Sequence, residues 1–334
     1  MVGSRRRWPG APRPALRALI VRPGGEAGFT LIEVMLAAAL GVVVIMTAAE
    51  VLLAARQAGR LETAHSRVLN SASIATSLLA RALRGAGYPG CHPALRRDLS
   101  ADGEMPWLPP VQLGASHTAG SAGETLTIRG MRSLGRARIV AISADGERLQ
   151  LDRAHGVGAG QQVMLVGLGS SDCLVFRQAT TAADVLDRGP GGSGRNQVPA
   201  AGYRPLDDDV EILVPAVQRF EVDRAVGRNG VRSLYRRTST GSPRREELVV
   251  GVEALRLRVG IDSQGDGHAE RYVAAAAAPA PSDIAAVHVE LRIASHRLPG
   301  VLARPMRLES GERAPDQRIH RTLRVAVALR NGRP

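Results

Sequence analysis

The stretch Gly28–Ala55, GFTLIEVMLAAALGVVVIMTAAEVLLAA, constrains this chain more than any other part of it. It carries no charge from Val34 to Ala49. Counted back to Phe29, the apolar run comes close to the roughly 20 residues a helix needs to cross a bilayer core. One carboxylate, Glu33, sits inside it, five residues past Gly28. A carboxylate at such a depth costs on the order of 2.5–3.5 kcal/mol, so it is seldom kept without a partner. Upstream, Arg5, Arg6, Arg7, Arg13, Arg17 and Arg22 stand against Glu26. Arginines on one flank keep that flank cytoplasmic. The apolar run has no small-x-small cleavage site at its far end and continues into amphipathic sequence, which predicts a retained anchor rather than a secretory signal.

From Glu50 to Arg84 the pattern changes. Leu61, Val68, Ala72, Ala75, Leu79 and Ala82 recur at spacings of three, four and seven, which predicts one apolar helix face. Arg56, Arg60, Glu62, Arg67 and Ser71 occupy the other. Arg81 and Arg84 suit the negative end of a helix dipole, and Gly85, Gly87 and Pro89 then stop the helix. One helix from Phe29 to Arg84 would measure about 80 Å. Its half over 29–55 belongs in membrane or in the core of an assembly, and its amphipathic half over 56–84 packs on the domain that follows.

Residues 85–334 read as β-rich. A proline-containing loop runs from Cys91 to Pro110. Strands are predicted over Glu124–Arg129, Ala137–Ser143 and Arg148–Asp152, with Asp145-Gly146 as a hairpin turn. Further strands are predicted over Gln161–Val166, Cys173–Gln178, Val210–Val214, Phe220–Asp223, Val231–Arg236, Leu248–Val259, Ala286–Ile293 and Leu323–Leu329. The glycine-rich stretch Asp187–Gln197 is predicted as a surface loop that divides the head into two lobes. No βαβ spacing occurs, so the sheets should be largely antiparallel. The fold class is therefore α+β: a long N-terminal helix carrying an antiparallel β head.

The chemistry-bearing residues point away from catalysis. The eight histidines form no HxH or HExxH pair, and His288 and His320 alternate with strand residues as solvent-facing positions would. Gly156-Val157-Gly158-Ala159-Gly160 precedes a strand, so it has no helix N-terminus with which to cradle phosphate. Gly167–Asp172 lacks a nucleophile elbow. The acids at 207–209 and at Glu246-Glu247 read as solvated surface, and the chain is not read as an enzyme. Its net charge of +13 comes entirely from arginine, with no lysine among the 44 basic residues. Such a charge raises nucleic acid as a partner. Aromatic residues are only 3%, which leaves little to stack on bases.

Gly28-Phe29-Thr30-Leu31-Ile32-Glu33-Val34-Met35 resembles the processing site of type IV prepilins and pseudopilins. The resemblance implies that residues 1–28 are a leader, cut between Gly28 and Phe29 by a prepilin peptidase, with the new Phe29 amine N-methylated. Glu33 would then pair with the terminal amine of a neighbouring subunit, so that both charges leave water together. Arg84-Gly85-Ala86-Gly87-Tyr88-Pro89-Gly90-Cys91 resembles the helix exit of PilW-type minor pilins, and Arg318–Asn331 resembles their closing strand. The implied function is that of a minor pilin that primes and caps a type IV pilus. Implied partners are the peptidase, other minor pilins, the major pilin, a tip adhesin and the inner-membrane assembly platform. The implied location is the inner membrane in a single pass, with a periplasmic head, and then the pilus. A J-type pseudopilin of type II secretion is the nearest alternative; a DNA-binding subunit for uptake is an alternative of another class.

Two features follow from that placement. Cys91 and Cys173 are the only cysteines, and an exported head lets a disulfide persist, so one bridge is predicted. Asp262–Glu270, DSQGDGHAE, partly resembles a calcium loop, with Asp262, Gln264, Asp266 and Glu270 as candidate ligands. The position where an EF-hand has its bidentate Glu holds Val273, and a plain Asp/Gly turn is the other reading.

Overall fold

The structure is a computed structural model; it describes residues 28–115, 123–169, 172–189, 196–197, 207–239, 244–275, 283–296, 302 and 304–331. The leader arginines and most of the 187–197 loop lie outside the described residues.

One helix, α1 (Leu31–Arg84), opens the described chain. Residues 57–334 form one compact unit, separate from the N-terminal unit that ends at Arg56. The apolar stripe of α1 within the compact unit runs through Ala64, Val68, Ala72, Ala75, Leu79 and Leu83, not through Leu61 and Ala82 as predicted. Leu61 is exposed and Ala82 half-buried. Steps of seven drift around a helix that has 3.6 residues per turn, whereas the pairs 64/75, 68/79 and 72/83 are three full turns apart.

Among the described residues, fourteen strands follow a short 3-10 turn at Pro93–Leu95. They are β1 (Arg96–Asp98), β2 (Val111–Ala115), β3 (Glu124–Ile142), β4 (Arg148–Leu151), β5 (Gln162–Gly167), β6 (Cys173–Arg177) and β7 (Val185–Asp187). Then come β8 (Asp209–Arg224), β9 (Arg232–Thr238), β10 (Arg244–Val250), β11 (Val252–Ile261), β12 (Arg271–Ala274), β13 (Ile284–Ala294) and β14 (His320–Ala328). A ten-stranded sheet takes the order β1-β6-β5-β8-β3-β4-β7, with β2 beside β3 and with β9 and β10 continuing from β8. A four-stranded sheet takes the order β12-β11-β13-β14. Every named pairing is antiparallel except β1 with β6. β7 and β8, which flank the 187–197 loop, share the larger sheet.

At three places the strands are joined or divided otherwise than predicted. Glu124–Arg129 and Ala137–Ser143 join into β3, and Val210–Val214 and Phe220–Asp223 join into β8. The joint in β8 contains Pro215, which lies opposite Met131. The Met131 N–H turns away to Tyr88 O, so that pair asks no ladder bond of proline. The run Leu248–Val259 is instead broken at Gly251, whose φ of +93° favours glycine. A Cβ at Gly251 would also stand 2.7 Å from Ala294 O. The chain changes sheets at this residue.

The main core packs the α1 stripe against both sheets, with Leu126, Ile128, Phe220, Val222 and Leu234 from the larger and Leu255, Val287, Val289 and Leu291 from the smaller. Beside it lies a buried charged group that alternation does not reveal. Arg318 Nη1 donates to Glu253 Oε1 at 2.7 Å and its Nε to Asp316 Oδ2 at 2.7 Å. His320 Nε2 lies 2.8 Å from Asp316 Oδ1. His320 is buried, not solvent-facing as predicted, because it leads β14 under the 304–319 segment; its backbone N–H meets Met306 Sδ.

Burial pushes the Asp316 carboxyl up, but hydrogen bonds from His320 and Arg318 outweigh it and hold it at about 2. A carboxyl held below its unfolded value contributes stability above that value and loses it as pH falls through the folded one. The network should therefore weaken between about pH 4 and pH 2. Urea denaturation of the detergent-solubilised protein across that window should show a loss that Asp316→Asn reduces by about 2 kcal/mol. Equal losses in both proteins would contradict this account.

Candidate functional site

α1 is long and apolar enough to cross a membrane by length and composition. Of residues 28–63 all are exposed except Gly41, which is half-buried. Phe29 is 85% exposed, and Leu31, Ile32, Met35, Leu36 and Ile45 are all above 60%. A continuous apolar surface of this kind marks contact with membrane or with a partner.

The start of this surface is locally ordered by its own sequence. Thr30 Oγ1 accepts the Glu33 N–H at 3.3 Å, while Glu33 Oε2 accepts from the Thr30 N–H and Oγ1 at 3.3 Å. The reciprocal pair is a capping box, with the acid favoured by the positive end of the helix. Glu33 thus caps its own helix through one carboxylate oxygen, and Phe29 stands one residue before the cap. The structure therefore joins Thr30 and Glu33 at the head of α1, with Phe29 preceding them in the chain.

The helix exit is tied down from several directions. Gly87 N donates to Arg129 O at 2.7 Å, Met131 N to Tyr88 O at 2.8 Å and Arg129 N to Pro110 O at 2.9 Å. Gly87 has φ of +71°, and a Cβ there would lie 2.3 Å from Asn331 O and 2.8 Å from the Pro110 side chain. Only glycine fits that approach. Asn331 Nδ2 in turn donates to Ala86 O. The two segments singled out by resemblance, at 84–91 and at the end of the chain, thus meet in space. Cys91 and Cys173 form the predicted disulfide, which joins the helix exit to β6 beside Trp107, Met131, Met164 and Leu213.

The 262–270 loop gathers three of its four candidate ligands. Carboxylate oxygens of Asp262, Asp266 and Glu270 lie within 4.8 Å of one another, and Gln264 contributes its backbone N–H rather than its side chain. Asp262 accepts from the N–H groups of Gly265 and Gly267, Glu270 from those of Ser263 and Gln264, and Asp266 from that of His268. In this arrangement the acids bind the loop's own backbone, as Asp residues of tight turns do.

Sequence reasoning missed the buried Glu253–Asp316–Arg318–His320 group and an arginine-rimmed cavity at the helix exit. The signal for the first lay in Asp316 and His320, four residues apart around Arg318. Arg177 also clamps Asp102 at 2.5 Å and Glu104 at 2.8 Å, which pins the loop after β1 to β6.

Residues 219–331 match the family described as type IV pilus-assembly protein W, PilW. That region runs from the end of β8 to Asn331 and includes both the 262–270 loop and the closing strand. Among solved structures, a type IV-like pilin from Thermus thermophilus is similar at 14% identity and a TM-score of 0.31, over 80% of this chain and 98% of that one. A comparison with curated proteins gives no match.

Proposed function

We propose that this PilW-like type IV pilus protein works as a minor pilin that is processed before Phe29 and helps to prime the filament at its tip. In this reading the apolar half of α1 waits in the inner membrane and then slides into a bundle of like helices. The β head lies in the periplasm and makes the lateral contacts. Glu33 sets the register by pairing with a neighbour's Phe29 amine, since a buried carboxylate and a buried ammonium are each costly alone. Other minor pilins, the major pilin, the assembly platform and a tip adhesin are its partners. The prepilin peptidase acts on it. No catalytic role is assigned to the chain itself.

One observation carries the reading. An exposed apolar helix with a single acid near its start heads the same chain that matches the pilus-assembly family over 219–331. The family match favours the pilus over the type II secretion machine.

Mass spectrometry of protein extracted from membranes, read without reduction, tests it. The expected product begins at N-methylated Phe29 and carries the Cys91–Cys173 peptide pair. A chain that keeps residues 1–28, or one cut beyond Ala49, would overturn the pilin reading.

A further inference from the structure

Between the last turns of α1 and the face of the ten-stranded sheet lies a half-open cavity of about 480 Å³. This volume is within the range of built ligand sites. Leu78, Ile128, Phe220 and Leu248 make an apolar floor. Arg81, Arg129, Arg132 and Arg236 line it as well, and among the described lining residues there is no carboxylate. Arg129 spends Nη2 on Gln112 Oε1 at 2.9 Å, and Arg236 spends Nη2 on Glu246 Oε2 at 2.8 Å. Arg129 Nη1 and Arg236 Nε are shielded from solvent and have no acceptor. A donor closed to water is closed to a ligand oxygen as well, so the guanidinium groups open to a ligand are those of the exposed Arg81 and Arg132.

We propose that this cavity receives an acidic peptide segment of a neighbouring subunit, an aliphatic side chain on the floor followed by a carboxylate among the guanidinium groups. The planar fork of arginine matches a carboxylate in bidentate fashion, and four arginines with one paired acid leave the mouth positive. A phosphate backbone would leave the apolar floor unused, and base stacking would find few aromatic faces there. The cavity rests on the pilin reading only for the source of the segment.

The test uses the full chain in detergent and two C-terminally amidated tetrapeptides with an uncharged fluorophore on the N-terminus, Leu-Leu-Glu-Glu and its neutral isostere Leu-Leu-Gln-Gln, followed by anisotropy. The acidic peptide is expected to bind at least about tenfold more tightly than the neutral one. Arg132→Glu should weaken it by roughly tenfold or more, because it reverses one charge at an exposed position. Arg271→Glu, on the exposed strand β12, should leave binding unchanged. Equal binding of the two peptides, or no effect of Arg132→Glu in a chain whose thermal unfolding is unaltered, would overturn the proposal. Displacement of the peptide by duplex DNA at lower concentration than by unlabelled peptide would also overturn it, in favour of nucleic acid. The N-terminal mass is read on the same samples. A processed wild-type chain that ignores the acidic peptide removes the cavity alone; an unprocessed one that binds it removes the pilin reading alone.

Discussion

Chains carrying Glu33→Gln are expected to be cut before Phe29 as efficiently as the parent and yet to enter filaments at least about tenfold less. The choice of glutamine separates two jobs of one side chain. Glu33 closes a capping box with Thr30, and glutamine at that position closes the same box without charge. Glutamine does not neutralise an ammonium. If register in the assembled bundle depends on the carboxylate, the amine of a neighbouring Phe29 is left buried and unpaired, and breaking such a pair costs about 3–5 kcal/mol. Glu33→Ala loses both cap and charge and should be no better. Immunoblots of sheared pili against membranes, with N-terminal masses from each fraction, read both steps. Normal incorporation of the glutamine chain would show that the acid serves its own helix and not its neighbour.

The parts of the fold that sequence exposed are those in which a single periodicity runs undisturbed. The apolar run from Val34, the glycine stop at Gly85–Gly87 and the alternation Leu323, Val325 and Val327 each map onto an observed element or its end. What was hidden lies where the periodicity is broken by one residue. Glu253 has the parity of the buried Leu255, Leu257 and Val259 and, beside the irregularity between Val252 and Ala254, becomes the buried partner of Arg318. Gly135 marks another irregularity in β3, where a register shift lets one strand run through what reads as two. His320 shows the limit from the other side: its strand parity was readable, but the 304–319 segment that covers it has no pattern of its own.

The candidate site divides in the same way. Glu33 stands out in the sequence because a charge inside a membrane-length run needs a reason, and the structure places it in the first turn of α1. The cysteine pair was legible because two cysteines have one pairing. In the 262–270 loop the spacing of acids was right for convergence, and Asp262, Asp266 and Glu270 do converge. Their use on backbone N–H groups was not legible, since the same spacing serves a turn or a cation. The arginine-rimmed cavity drew residues from α1, β3, β8, β9 and β10, and no local window contains it.

Replacing both cysteines, as Cys91→Ala with Cys173→Ala, is expected to lower the stability of the head by about 4 kcal/mol in the chain-entropy account of a loop this long. The two are 82 residues apart, so the bridge restrains the unfolded chain over β1 to β5 and the start of β6. For a domain of this size the change corresponds to a melting temperature lower by about 8–16 °C. The native state has other ties at the same place, the bonds from Gly87 to Arg129 and from Met131 to Tyr88 among them, so the altered chain should still fold. Reduction of the parent protein provides the second measurement. If the bridge acts through the unfolded chain, the reduced parent and the double alanine variant should lose nearly the same amount, because neither has the link. A much larger loss in the variant would instead assign the effect to packing, since Cys173 is fully buried among Trp107, Met164 and Leu213. Denaturant titrations of all three forms in detergent separate the two, and a variant within about 1 kcal/mol of the oxidised parent would refute the entropic account altogether.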